Sequence, residues 1–144
     1  MTVVGFNFNK IVVEKNKALQ GKVSINNNIV IKEVESKDLQ LGTEKQSGLR
    51  VTFDYGVNYA SDLKDVLAHI DLVGEVLILE DAVKVKKALD GWKKNKNLEK
   101  EMTLQVLNTA LAKCNIQSII LSRDLNLPSP IPLPKVETVE KAPV

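Results

Sequence analysis

Apolar and polar residues alternate over the first half of the chain, the period-2 pattern of strands with one buried face. Val4, Phe6 and Phe8 share one parity and Ile11 and Val13 the other, so a bulge near Asn9 and Lys10 is needed to keep them on one face. Val23, Ile25, Ile29 and Ile31 share a parity that Asn27 interrupts. Asn26-Asn27-Asn28 is therefore either a hairpin turn or a polar spot in one long strand. The third run is the clearest: Leu49, Val51, Phe53, Tyr55, Val57 and Tyr59 alternate with Arg50, Thr52, Asp54, Gly56 and Asn58. After the polar stretch 61–65, Ile70, Leu72, Val76 and Ile78 take one face and His69, Asp71 and Glu75 the other. Four strands with short polar connections predict an antiparallel sheet covered on one side.

The period changes at Glu80-Asp81. Asp81 suits an N-cap, and Val85, Ala88, Leu89 and Trp92 fall at i, i+3, i+4 and i+7, predicting a short amphipathic helix that ends near Asn95. Asn97 is the expected cap of a second, longer helix with Glu99 and Glu101 in its first turns. Leu104, Leu107, Leu111, Cys114 and Leu121 define its expected inner stripe, which Val106, Ala110, Ile116, Ile119 and Ile120 widen. A helix this apolar must be covered on more than one side.

Proline placement divides the chain. Residues 1–127 contain none, and all five prolines lie in the last 17 residues. Pro128 ends the long helix, because the residue before a proline is pushed out of the helical region. Pro128, Pro130, Pro132 and Pro134 then stand at alternate positions, which predicts an extended polyproline-type segment. Leu127, Ile131 and Leu133 share a parity, so the segment is expected to lie against the protein. The resulting expectation is a single α+β domain over 1–134, with both helices on one face of the sheet, and a disordered tail over 135–144.

Composition narrows the class. A chain of 144 residues, 44% hydrophobic and 26% charged, has the balance of one soluble globular domain. No basic and apolar leader opens it and no apolar run approaches the ~20 residues of a membrane helix, so the expected location is cytoplasmic, away from membranes. The net charge of +2 is uneven: residues 1–81 carry nine Lys/Arg against twelve Asp/Glu, and residues 82–144 eleven against six. Lys86, Lys87, Lys93 and Lys94 form the centre of the basic excess. They are candidate polyanion contacts, although a solvated lysine-rich helix end has the same composition.

Catalytic chemistry is sparse. One cysteine and one histidine exclude intramolecular disulfides and multi-histidine or cysteine-rich metal sites. His69 and Asp71 share a strand face, but no serine stands in a nucleophile-elbow motif. Cys114 lies on the most apolar helix face, where cysteine behaves as a small hydrophobe. Glu33 with Glu35, and Asp62 with Asp65, lack the spacing of a calcium loop. Phosphate-binding glycine patterns are missing from the seven glycines. The expectation is a non-enzyme without a cofactor.

The order of elements, with Cys114-Asn115-Ile116, Ser122-Arg123 and Leu125-Asn126-Leu127 before Pro128 and Pro130, resembles the SecB export-chaperone family. Leu49-Arg50-Val51-Thr52 and Gly74-Glu75-Val76-Leu77-Ile78-Leu79 are similar to its sheet strands, and the chain looks like a distant, archaeal-type member over roughly residues 3–134. The resemblance implies a holdase for unfolded or extended polypeptides, built as a dimer or tetramer and using no nucleotide. It implies client contacts at Phe53, Tyr55 and Trp92, with Leu127 and Ile131 near the groove wall. More prolines and a short tail stand where the family has a final helix, and the family's acidic translocase-binding surface is not recognisable. Two other readings are a nucleic-acid-binding module using the lysine-rich helix and a non-catalytic subunit of a larger assembly.

Overall fold

The computed structural model describes residues 1–62 and 65–134. Four 14-residue strands, β1 (Thr2–Lys15), β2 (Val23–Ser36), β5 (Gly48–Ser61) and β6 (Val66–Leu79), form one antiparallel sheet in the order β1-β6-β5-β2. The first strand thus lies beside the last, a Greek-key arrangement with β1 and β2 at the edges. The connection between β2 and β5 is not a plain loop. It folds into a small hairpin, β3 (Leu39–Leu41) and β4 (Glu44–Gln46), turned at Gly42, whose φ of +69° favours glycine. Polar alternation over three residues is too short a signal to separate such strands from a loop.

Asn26-Asn27-Asn28 is the middle of β2, paired with Asn58, Val57 and Gly56 of β5. The register of β1 shifts between Phe8 and Lys10, so Phe8 faces Gly74 while Ile11 and Val13 face Leu72 and Ile70. The anticipated bulge is there, and it brings Phe8 and Val13 against the core while Ile11 stays exposed. A second shift, between Val3 and Gly5, aligns Val3 with Ile78 and leaves Val4 exposed. Val3, not Val4, is the residue that packs against the core.

Helix α1 (Ala82–Asn95) begins at Asp81, whose Oδ1 accepts the Lys84 backbone N–H at 2.9 Å, and ends at Lys96 in the left-handed conformation with φ 56°. Helix α2 (Lys100–Asp124) starts later than expected, with Glu99 and not Asn97 at its cap position and no side-chain cap bond. The left-handed turn at Lys96 consumes the residues next to Asn97, and the carboxylates of Glu99 and Glu101 favour the helix's positive end.

The buried row of α2 is Met102, Val106, Ala110, Cys114, Ser118 and Ser122, a strict i, i+4 ladder. This corrects the expected inner stripe: Leu104, Ile116 and Ile120 are exposed, and Leu107, Leu111 and Leu121 are only half-buried. The reason lies across the interface. Phe53, Tyr55 and Tyr59 of β5 are large and fully buried, so small side chains must face them for the helix to approach. Ser118 and Ser122 donate from Oγ to the carbonyls of Asn115 and Ile119 at 3.0 and 2.7 Å, which lets two hydroxyls enter an apolar layer satisfied.

On β6, Gly74 makes room for an aromatic cluster. Phe53 stacks on Phe6 at 5.5 Å between ring centroids, and Phe6 meets Phe8 edge-on at 5.0 Å. A Cβ on Gly74 would lie 2.5 Å from the Asn7 carbonyl and 2.7 Å from Phe53 Cζ. Gly74→Ala is therefore expected to destabilise the fold by about 3 kcal/mol, read as a lower urea midpoint at unchanged slope; an unshifted midpoint would remove this role for Gly74.

Candidate functional site

The residues with catalytic potential are placed apart. His69 is half-buried on the open face of the sheet, opposite Glu14 and Asn58. Asp71 on that face pairs with Lys10 Nζ at 3.0 Å. The neighbouring Asp54 and Lys10 hold its carboxyl below the usual range, while partial burial and the proximity of Asp71 raise Asp54. Arg50 bridges Glu35 at 2.8 Å and Glu75 at 3.7 Å, so the open face is a lattice of paired charges. Cys114 sits in the core on the other side, where burial pushes its thiol up to about 12 and suppresses the reactive thiolate. Among the described residues no group of three or more His, Cys, Asp or Glu is placed to hold a metal ion.

The lysines do not share a surface. Lys86, Lys87 and Lys94 line a groove of about 1190 Å³ between α1 and the start of α2, together with Lys84. Glu80, Asp90, Glu99 and Glu101 are interspersed among them on the same groove, Glu80 paired with the Met1 ammonium at 3.4 Å. Lys93 turns to the opposite side of α1, next to Lys96, Glu33 and Glu35. A phosphate backbone follows a continuous run of cations, and acidic side chains interrupt this one.

Phe53, Tyr55 and Trp92 lie in the layer between sheet and helices. Phe53 and Tyr55 form its floor at 0 and 1% exposure, and the Tyr55 hydroxyl donates to Ser118 Oγ at 3.5 Å. Trp92, at 7% exposure, lies where α1 meets the edge strand β2. With Leu89 and Val34 it walls a hollow of about 430 Å³ that opens beside Glu33–Ser36. The Lys96 ammonium stands 5.4 Å from the centre of its ring, and its Nε1 is a buried polar atom without a partner. The outer backbone edge of β2 is unpaired along this stretch among the described residues.

Leu127 and Ile131 belong to a strap that runs from the end of α2 to Pro134. Leu127 and Pro130 are buried, Ile131 is half-buried, and Leu133 is exposed. The Tyr59 hydroxyl donates to the Pro128 carbonyl at 2.6 Å, and the Asn27 amide donates to the Pro130 carbonyl at 3.1 Å. Asn27 occupies a covered-face position of β2, in register with Val57. The break it makes in the isoleucine pattern is thus the anchor of a segment one hundred residues away in sequence. That break was a visible signal, but its partner was not.

No protein-family model matches the chain, and no curated protein matches it in sequence. Among solved structures it is similar to the SecB-like chaperone Rv1957 of Mycobacterium tuberculosis, solved in complex with a ChAD peptide from the Rv1956 HigA1 antitoxin. The TM-score is 0.57 and the identity 11%, over 95% of this chain and 91% of that one. No helix among the described residues is long and apolar enough to cross a membrane.

Burial raises the Tyr59 hydroxyl from its ordinary value of 10.0 to about 12. The unfolded chain then loses its proton first, so stability should fall as pH rises between these values. Tyr59→Phe should lower stability by about 1 kcal/mol near neutral pH and flatten that alkaline decline, both readable in urea titrations at a series of pH values. A variant as steep as the parent above pH 10 would contradict the assignment. The four-stranded antiparallel sheet covered on one face by a short and a long helix is a SecB-like α+β fold, shared at distant identity.

Proposed function

We propose that the protein binds extended or unfolded hydrophobic polypeptide segments in the manner of a holdase, without catalysis and without a cofactor. One observation carries this reading: the hollow walled by Val34, Leu89 and Trp92 opens beside an unpaired strand edge. An extended chain needs both features, because a strand edge satisfies its backbone in any sequence and an apolar wall takes alternate side chains. Trp92 would make the direct apolar contact, while Phe53 and Tyr55, wholly covered in the protomer, would support the layer beneath it. The fold likeness is to a chaperone held with a peptide, which favours this reading over the nucleic-acid alternative, and the interrupted lysine array adds nothing to that alternative.

The working form is a homo-oligomer, a dimer or tetramer. Between Met102 and Ser122 helix α2 carries only Lys113 as a charge, and its larger apolar residues, including Leu104, Ile116 and Ile120, face away from the sheet. Ile116 is 62% exposed. An apolar face of this length on a separate protomer would be exposed to water at a cost of about 25 cal/mol per Å², and a second copy of the same helix would cover it.

Two measurements follow. A molar excess of the protein should suppress light scattering from a chemically denatured client diluted into buffer at roughly 0.15 M salt, with no nucleotide added, and Trp92→Ala should weaken the effect several-fold. Scattering unchanged by the parent protein would reject the holdase reading. Leu104→Gln combined with Ile116→Gln should convert the oligomer to a folded protomer in static light scattering, since neither side chain supports the protomer core; a parent protein that is itself monomeric at micromolar concentration would reject the oligomer.

A further inference from the structure

The strap is a proline-rich apolar stretch that bends at Pro130 and Ile131, and the two hydrogen bonds that hold it to the sheet go to backbone carbonyls. Tyr59 and Asn27 donate to the carbonyls of Pro128 and Pro130, two residues apart, the second at the bend. Any extended segment presents carbonyls at that spacing. Beneath them the seat is apolar, with Ile25 and Ile29 flanking Asn27 on the covered face of β2 and Tyr59 and Val57 in register on β5.

The strap is held at few points, with Leu127 and Pro130 as its buried residues. Four of its positions are prolines, which offer no N–H, and the Ile131 N–H turns back to Ser129 Oγ at 3.3 Å, so no ladder of backbone bonds ties it to a strand. Pro128, Pro132, Leu133 and Pro134 are exposed. A segment held by two side-chain donors and two buried residues opens at lower free energy than the core. The seat also lies on the same strand as the Trp92 hollow: Asn27 precedes Glu33 by six residues, about 20 Å along β2.

We infer that the Asn27–Tyr59 seat is a second docking position for an extended apolar polypeptide, occupied in the resting protein by residues 128–134, which an incoming segment must displace. This rests on the polypeptide-binding reading above and adds to it a built-in competitor. A segment long enough to run from the hollow to the seat gains both positions, whereas a short one engages the hollow alone. The strap thereby selects for length of unfolded chain.

The test locks the strap in the full chain. Asn27→Cys with Pro130→Cys puts a thiol on each of the two residues that now meet, amide to backbone carbonyl, so that a disulfide pins the strap to β2; loss of the Asn27 amide is common to the oxidised and reduced states, and the native Cys114 is buried. Affinity for a fluorescein-labelled, reduced and carboxymethylated polypeptide is read by anisotropy in the oxidised and reduced states, with a free-thiol count and circular dichroism confirming closure and fold. We expect at least tenfold weaker binding when oxidised, restored by reductant; equal affinity in the two states overturns the inference while leaving the holdase reading intact. Should the double variant misfold, hydrogen exchange on the unaltered protein decides: added polypeptide should accelerate exchange at Ser129, Ile131 and Leu133, and unchanged rates there overturn it. Failure of the unaltered protein to bind the polypeptide at all rejects the holdase reading itself.

Discussion

Everything above the sheet depends on how closely α2 can approach β5. Strand β5 sends Phe53, Tyr55 and Tyr59 into the interface, and no exposed position could hold three such rings without a cover. The helix meets them with Val106, Ala110, Cys114 and two serines, small enough for its axis to settle onto the rings. Large on the sheet and small over the middle and end of the helix row lets the two pack closely. The same choice leaves the helix's leucines and isoleucines with nowhere to go but sideways and outward.

That displacement links packing to function. A helix that used its largest side chains on its own sheet would have a polar back, and the protomer would be self-sufficient. Here the back of α2 is apolar, and β1 and β2 are the edges of the sheet among the described residues. The open face of the sheet solves the opposite problem. Its Arg50, Glu35, Glu75, Lys10 and Asp71 pair with one another across strands, which keeps that side charged and hydrated.

Much of this was legible in the chain. Period-2 alternation located all four long strands, and the parity switch in β1 located its bulge, because a one-residue insertion is the sole way to keep Phe8 and Val13 on one face. Asp81 marked the start of α1 through a local bond that needs no tertiary partner. The inner face of α2 was misjudged for a definite reason. Apolar residues surround that helix, so periodicity alone favoured the bulky ones, whereas the sheet's rings select the small ones. Asn97 was a plausible cap by residue type, but the left-handed turn at Lys96 set the start of the helix further on.

The candidate site divides along the same line. Local patterning determined that Trp92 lies on the inner side of α1 and that a proline-rich extended segment follows the long helix, since both follow from spacing and backbone restriction within a few residues. Which surfaces these reach was decided by the tertiary structure alone. Asn27 meets Pro130 across 103 residues of chain and Tyr59 meets Pro128 across 69, pairings created by strand order. Likewise Lys93 parts from Lys86, Lys87 and Lys94 because α1 wraps its neighbours onto different walls, one shared with β2 and one with α2. Sequence period assigns a residue to a face; only the packing of one face against another decides what that face is for.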